Sequence, residues 1–391
     1  MSDAILVLNA GSSSLKAGVY AIADGGPAPR ARASVTGIGT RPVLKGDGGE
    51  IALGAASTGH EALLGALVDA LLAAAPGGRL VAAGHRVVHG GARHDRPERV
   101  TPELMAELTG LAGLAPLHQP HNLAPIGMLE RRWPGLPQTV SFDTAFHRGH
   151  ERVVDLFALP RDLEARGIRR YGFHGLSYDH VSRRLADIAP RTARGRVIVA
   201  HLGNGASLCA LRDGRGVDTT MGFTALDGLV MGTRCGALDP GVVLHLQRAL
   251  GMSVEEVERL LYDRSGLLGV SGLSSDMRVL LASERPEARE AIDLFCHRVA
   301  RETGALVATL GGLDGFVFTG GIGEHAAPIR ADIARRLAWF GLALDPGANA
   351  AHATVVSPEG ARVPVFVIPT DEEGVVARDC VAALGLGAAP A

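Results

Sequence analysis

Short apolar runs alternate along the chain with longer stretches in which apolar residues recur every three or four positions. Runs of four to eight apolar, β-branched residues read as strands, and the 3.6-residue recurrence reads as amphipathic helix. The pattern predicts strands over 4–9, 15–22, 80–88, 138–142, 196–201, 206–211, 315–319 and 363–368. It predicts helices over 61–75, 121–132, 175–188, 240–250, 253–262, 286–310 and 327–339. Ser253 followed by Glu256 forms a capping box for one of them, each side chain satisfying the other residue's backbone N–H. Segment 23–59 is Gly-rich and weakly periodic, and reads as loop and edge strand. Strands alternating with helices are the mark of α/β architecture.

The organisation repeats. "ILVLNAGSSSLKAGVY" (5–20) reads strand, polar turn, strand, and so does "VIVAHLGNGASLCALRDG" (197–214). Each half then offers a later strand running into glycines: "VAAGHRVVHGG" (81–91) and "FVFTGGIGEH" (316–325). A chain of 391 residues is long enough for two domains. The expectation is a duplicated α/β domain with a cleft between the copies, ligands gathering at the strand ends.

Composition narrows the class. Apolar residues make up 47% and charged residues 20%, ordinary for a folded protein. A net charge of -2 argues against a general nucleic-acid or anionic-membrane binder. No apolar run reaches the length of a membrane span, and 305–319 is interrupted by Gly311, Gly312 and Asp314. The N-terminus carries Asp3 and no basic stretch, so no secretory signal is expected. Cys209, Cys235, Cys296 and Cys380 are widely spaced and read as reduced thiols. A cytoplasmic protein is expected. Of 39 basic residues only Lys16 and Lys45 are lysines, which hints that a compact ammonium is wanted where one is kept.

Several polar residues sit where such a fold does chemistry. In "LVLNAGSSSLK" (6–16) an apolar run ends in Asn9, Gly11 and three serines before Lys16. This is not the GxxxxGK[ST] of a Walker loop. Gly11 permits close approach, Ser12, Ser13 and Ser14 offer hydroxyls and N–H groups to an anion, and Asn9 could ligate a metal or its water. A plain hairpin turn uses the same residues. "HLGNGAS" (201–207) and "TGGIGEH" (319–325) also follow apolar strands, and three such turns favour a nucleotide site. Arg86 and Arg234 sit in apolar or glycine-rich surroundings and need an anion, a carboxylate of the chain or a phosphate. Asp143 in "SFDTAFH" ends a strand, the place of a catalytic carboxylate or of a helix N-cap. His174 precedes Gly175 in "YGFHGLS", and Asp371, Glu372 and Glu373 cluster in "PTDEEG".

Together these segments are very similar to those of the acetate kinase family, short-chain carboxylate kinases of the actin/sugar-kinase superfamily. "LNAGSSSLK", "GHRVVHGG", "APLH", "SFDTAFH", "RYGFHGLS", "HLGNGAS", "MGTRCGALDPG", "SSDMR", "FTGGIGE" and "PTDEE" stand in the family's order from residue 6 to 373. The resemblance implies ATP + acetate ⇌ ADP + acetyl phosphate with Mg²⁺, or Mn²⁺ in its place, and small-molecule partners without nucleic acid or membrane. It implies a homodimer of chains with two ribonuclease-H-like domains, one from 1–148 plus 375–391 and one from 149–374.

The roles it implies are specific. Asn9 and Glu372 match magnesium-associated positions. Lys16, with Ser12 and Ser14, matches nucleotide-phosphate contacts. Arg86 matches the substrate-carboxylate arginine, Asp143 the catalytic proton donor/acceptor, and His174 and Arg234 the transition-state stabilisers. His201, Leu202, Gly203, Asn204 and Gly205 match one nucleotide-binding segment, Asp276, Met277 and Arg278 a second, and Gly321, Ile322, Gly323, Glu324 and His325 a third. Val88, Leu117 and Phe173 match an apolar wall around the acyl methyl. Four departures stand out: Met277 where Phe is usual, His325 where Asn is usual, "PLHQPHN" in place of "PLHNPPN", and Ala225 where Pro is usual. A smaller residue at 225 leaves propionate open as an acceptor. A carboxylic acid is already ionised at neutral pH, so the acceptor needs no general base, and Asp143 is expected to orient a metal water or fix an arginine.

Overall fold

The structure, a computed structural model, describes residues 3–11, 14–39, 41–53, 59–114 and 118–387. It divides into two units, Met1–Ala145 with Asp371–Ala391, and Phe146–Thr370.

The first unit is built on eight strands: β1 (Asp3–Ala10), β2 (Ser14–Ala23), β3 (Gly26–Thr36), β4 (Val43–Gly46), β5 (Gly49–Ile51), β6 (Arg79–Val87), β7 (Glu98–Arg99) and β8 (Gln138–Phe142). They lie in the order β5-β4-β3-β2-β1-β6-β8-β7. β1, β2 and β3 pair antiparallel, whereas β1, β6 and β8 run parallel. Parallel strands are covered on both faces and so tend to read as continuous apolar runs, as β1 does, whereas β8, Gln-Thr-Val-Ser-Phe, is buried throughout although it mixes polar and apolar residues. One face packs on the helix His60–Ala74, whose Leu63, Leu64, Leu67, Val68 and Leu71 recur at helical spacing. Each such side chain stabilises the fold by about 1.5–3 kcal/mol on full burial. The helix Glu372–Leu384 also packs on this sheet. A methyl group at Gly84 of β6 would lie 2.8 Å from a Val376 methyl, so the two elements meet where β6 has no side chain.

The second unit carries β9 (Arg196–Leu202), β10 (Ala206–Arg212), β11 (Arg215–Thr219), β12 (Gly315–Thr319) and β13 (Val365–Val367), in the order β11-β10-β9-β12-β13. Here too the first three strands pair antiparallel while β9, β12 and β13 run parallel. Position by position this is the β3-β2-β1-β6-β8 plan of the first unit, so the repeat in the sequence is a repeat of topology. The helix Gly175–Ile188 covers the face bearing Val197, Val199, Cys209 and Leu211 with Tyr178, Val181 and Leu185. The 25-residue helix Pro286–Leu310 packs on β9 and β10 and stops at Gly311 in the left-handed region. The capping box at Ser253 and Glu256 is formed. No helix among the described residues is long and apolar enough to cross a membrane.

The structure departs from the pattern in places. Segment 23–59 does carry the edge strands expected of it, β4 and β5, but it also holds β3, eleven residues long and flanked by strands on both sides. The helix Glu372–Leu384 was not expected, nor was Pro102–Gly110. The helix foreseen over 327–339 ends at Arg336, and a 3₁₀ turn, Ala338–Phe340, follows.

Candidate functional site

Parallel register brings three polar side chains of the first unit together. Asn9, Arg86 and Asp143 lie at or just beyond the carboxyl ends of β1, β6 and β8, which are neighbours in the sheet. Arg86 grips Asp143 with two N–H groups, Nε to Oδ1 at 2.9 Å and Nη2 to Oδ2 at 2.5 Å, and donates through Nη1 to Asn9 Oδ1 at 3.0 Å. The Asp143 carboxylate, 2% exposed, holds an arginine. The helix Glu372–Leu384 supplies the rest. Asn9 Nδ2 donates to Glu373 Oε1 at 2.9 Å and Glu372 Oε2 at 3.2 Å, and Glu372 stands 3.8 Å from Arg86 Nε. Burial works against the Arg86 charge, but Asp143 and Glu372 outweigh it and raise the pKa above the usual arginine value. Lys16 is directly across from Asn9 in the β1–β2 ladder and is exposed. Val88 is buried beside the site. Ser12 and Leu117 lie outside the described residues, as does Ser13; Ser14 opens β2, and its carbonyl accepts from Gly11 N at 2.8 Å.

Residues that sequence reasoning passed over hold this corner in place. Asn122 Oδ1 accepts from Val88 N at 2.8 Å, and its Nδ2 donates to Ala10 O, tying the end of β1 to the end of β6. Gln119, fully buried, exchanges hydrogen bonds with both the N–H and the carbonyl of His89. Both belong to "PLHQPHN", so the signal was present, but a buried amide cannot be told from an exposed one without the fold.

The second unit assembles a different set. His174 adopts a left-handed conformation with φ 58° and ψ 23° at the start of the helix Gly175–Ile188. Its Nδ1 bonds Ser207 Oγ at 2.8 Å, and the same Oγ meets Tyr178 Oη. Its ring stacks on His201 with centroids 4.2 Å apart, while His201 Nδ1 bonds Ser177 Oγ at 2.8 Å. His147, fully buried, bonds the Phe173 carbonyl through Nε2 at 2.9 Å and so fixes the backbone just before His174. Phe173 itself is buried. Arg234 donates through Nη1 to the Ala225 carbonyl at 2.6 Å. A methyl group placed on Gly205 would lie 2.8 Å from Arg234 Nη2 and 3.2 Å from His174 Nε2. His174, Arg234 and the His201–Gly205 turn thus converge. Leu202 is buried at the end of β9, and the backbone closes the turn from Gly203 N to Gly205 O at 3.0 Å. Gly232 N donates to Asn204 O at 2.9 Å, and a side chain at 232 would collide with Asn204.

The segment 319–325 is more than a turn. Gly320–His325 forms a short helix beyond β12. Glu324 Oε1 accepts from Gly320 N at 2.9 Å and Thr370 N at 3.1 Å, so this carboxylate serves the backbone. Gly321 and His325 are exposed, Ile322 is half-buried and Gly323 buried. Behind them Arg330, wholly buried, donates to the carbonyls of Gly323 and Glu324 and to Asn349 and His352. The carbonyl and amide acceptors among these carry no charge. Asp276 caps the helix Met277–Leu281 and pairs with the exposed Arg278 at 2.6 Å, which lowers the Asp276 pKa; Met277 points into the core.

Chemically the first unit offers an arginine fork amid oxygen ligands, a seat for a carboxylate and a hard cation. The second offers an arginine and a histidine aimed at a glycine turn, a seat for phosphate. Comparison with known proteins gives the family. Residues 4–378 match the model of the acetokinase family. An acetate kinase of Rhodopseudomonas palustris is 51% identical over 97% of this chain and 98% of its own. The crystal structure of Porphyromonas gingivalis acetate kinase superposes with a TM-score of 0.88 at 34% identity, covering 98% of this chain and 100% of that one. A propionate kinase from Francisella tularensis superposes with a TM-score of 0.89 at 36% identity, covering 96% and 98%.

Proposed function

The chain belongs to the acetokinase family, and from that membership we infer that it moves the terminal phosphoryl group of ATP reversibly to acetate, giving acetyl phosphate and ADP. The observation that carries the acceptor chemistry is Arg86. Arginine has five N–H groups, and Asp143 and Asn9 take three of them. The two left, one on each Nη, form a fork that matches a carboxylate.

Phosphoryl transfer asks for positioning and charge neutralisation more than for covalent help from the protein. Arg86 seats the acetate, and by family membership Val88, Leu117 and Phe173 take the role of acyl contacts. Asp143 holds Arg86 in place and takes no proton, since acetate arrives ionised. Arg234 and His174 stabilise the charge on the phosphoryl oxygens in flight. Ser207 aims His174, and the Ala225 carbonyl aims Arg234. Lys16, with Ser12 and Ser14, meets the nucleotide phosphates, and the segments 201–205, 276–278 and 321–325 take the nucleotide.

The oxygen donors of Asn9 and Glu372 suit Mg²⁺, with Mn²⁺ as a substitute. No three acidic, histidine or cysteine side chains among the described residues are arranged to hold an ion unaided. A magnesium ion there would be shared with substrate phosphates and would neutralise their charge. The second unit also leaves Leu244, Leu250 and Val254 exposed within a short span, a patch suited to a second copy of the chain. A homodimer in the cytoplasm, where ATP is supplied, completes the reading.

The test is acyl hydroxamate formation from ATP, Mg²⁺, hydroxylamine and a series of acids, on a preparation sized by light scattering. Acetate should give the highest kcat/KM, with the dimer mass. Propionate, favoured by Ala225 and by the Francisella neighbour, should follow within about 10–200-fold, the discrimination that one methylene allows. No hydroxamate with any short acid would sink the kinase reading.

A further inference from the structure

The chain's two lysines come together in space. Lys16 on β2 is opposite Ser34 on β3, and Ser34 is opposite Lys45 on β4. Residues directly opposite share a face of the sheet. Both lysines line one cavity of about 250 Å³, with Arg32, Asp47 and Glu373. The three cations differ in what already holds them. Arg32 donates through Nη2 to both Asp371 carboxylate oxygens, at 3.0 Å each. Lys45 stands 3.4 Å from Glu50. Lys16 has no ion pair among the described residues, and its other cross-strand neighbour is Asn9, bonded to Arg86.

We propose that Lys16 is a self-acylation site, taking the acetyl group of acetyl phosphate onto its side-chain amine. The proposal rests on the reading that acetyl phosphate is formed at Arg86, which puts an electrophile beside the less encumbered of the two amines in the chain. An acyl phosphate is a mixed anhydride. The Lys16 ammonium loses a proton to water, and the free amine attacks the acyl carbon. The bond from that carbon to the bridging oxygen breaks, phosphate departs with the electron pair, and the nitrogen sheds its second proton to phosphate or water. An amide and inorganic phosphate result, with no oxidant or further reactant. Acetylation removes a positive charge next to Asn9 and the phosphate turn. Accumulated product then silences the enzyme that made it. Lys45 is the internal comparison: its amine is engaged by Glu50, whose charge repels the anionic donor.

The experiment adds chemically prepared acetyl phosphate to the full-length chain without nucleotide, so that turnover is not required. Acetylation at each lysine is followed by peptide mass spectrometry, and samples are assayed for hydroxamate formation. Lys16 should react about tenfold faster than Lys45, and about tenfold faster than Lys16 in urea-unfolded chain, because the fold holds donor and amine together. Activity should fall in step with Lys16 occupancy. Lys45→Arg should leave both time courses unchanged, and Lys16→Arg should remove the acetylation near residue 16. Equal rates at the two lysines, or equal rates in folded and unfolded chain, overturn the proposal. Loss of selectivity in a chain that still makes hydroxamate counts against self-acylation alone, whereas an untreated chain that makes none counts against the kinase reading.

Discussion

The space at Gly205 is set by two side chains that approach it, Arg234 Nη2 and His174 Nε2. Its φ is not among the positive ones, so alanine is acceptable to the backbone and objectionable only to its neighbours. Gly205→Ala should fold normally and move both groups by a fraction of an ångström to an ångström. Displacements of that size cost on the order of 10²-fold in kcat. Steady-state kinetics beside urea unfolding tests this, and wild-type kcat with wild-type stability would mean that Arg234 and His174 yield without consequence. At this scale the sequence marked Asn9, Arg86 and Asp143 as polar residues closing apolar strands, with a turn or a cap as the other reading, and the fold brings the three side chains together. Ser207, Asn122 and Gln119 did not, because a small polar residue gains its role only from the register that sets it against a partner. Arg86 was read as needing an anion, and the fold gives it a carboxylate while leaving a fork free.

The helix Glu372–Leu384 shows how an element can hide behind its own cap. Asp371 accepts from Gly374 N, two acids fill the first turn, and Gly385 closes the end in the left-handed region. These are start and stop signals for a helix. They were read as an acid cluster, and Gly374, Val375 and Val376 weaken the helical pattern. β3 was hidden for another reason: Ala31, Ala33 and Val35 alternate with polar residues, but alanine carries too little hydrophobicity to mark a face, and Pro27 and Pro29 argue against a strand. The cap joins the two elements, since Asp371 also takes both bonds from Arg32 of β3. Asp371→Ala should therefore cost about 1–2 kcal/mol in urea unfolding, and Asp371→Asn, which keeps the cap, about half as much. Equal losses in the two variants would show that the cap contributes nothing.

Across the whole molecule a duplicated α/β domain was foreseen from two repeated strand–turn–strand segments, though not its strand order. Edge strands were expected within 23–59, but the bounds of β4 and β5, and β7 altogether, were not, being too short to carry a period. Each unit also buries a histidine that the chemistry does not use. Burial lowers His85 to about 4, against a hydrogen bond to Gln138 that acts the other way. Burial and the neighbouring His150 lower His147 to about 3. In the unfolded chain both titrate near 6.5. Between those values the unfolded chain binds more protons than the folded one, so stability rises with pH across the window and is lost as pH falls below about 6.5. Each histidine should contribute a slope of about 1.4 kcal/mol per pH unit. Urea unfolding at several pH values from 7 to 5 measures it, and a flat profile would contradict the assignment of both rings as neutral.

Arg330 has a consequence of another kind. Its guanidinium is buried behind the Gly320–His325 segment and has no acidic partner among the described residues, so the fold carries a permanent charge there without a carboxylate beside it. An anion that settles on the outer side of that segment supplies what the interior lacks, and occupancy and folding then draw on one free energy. If nucleotide settles there, as the proposed function has it, the integrity of this half of the protein becomes conditional on the company it keeps: with nucleotide in excess it should resist unfolding, and without it the same chain should come apart more readily.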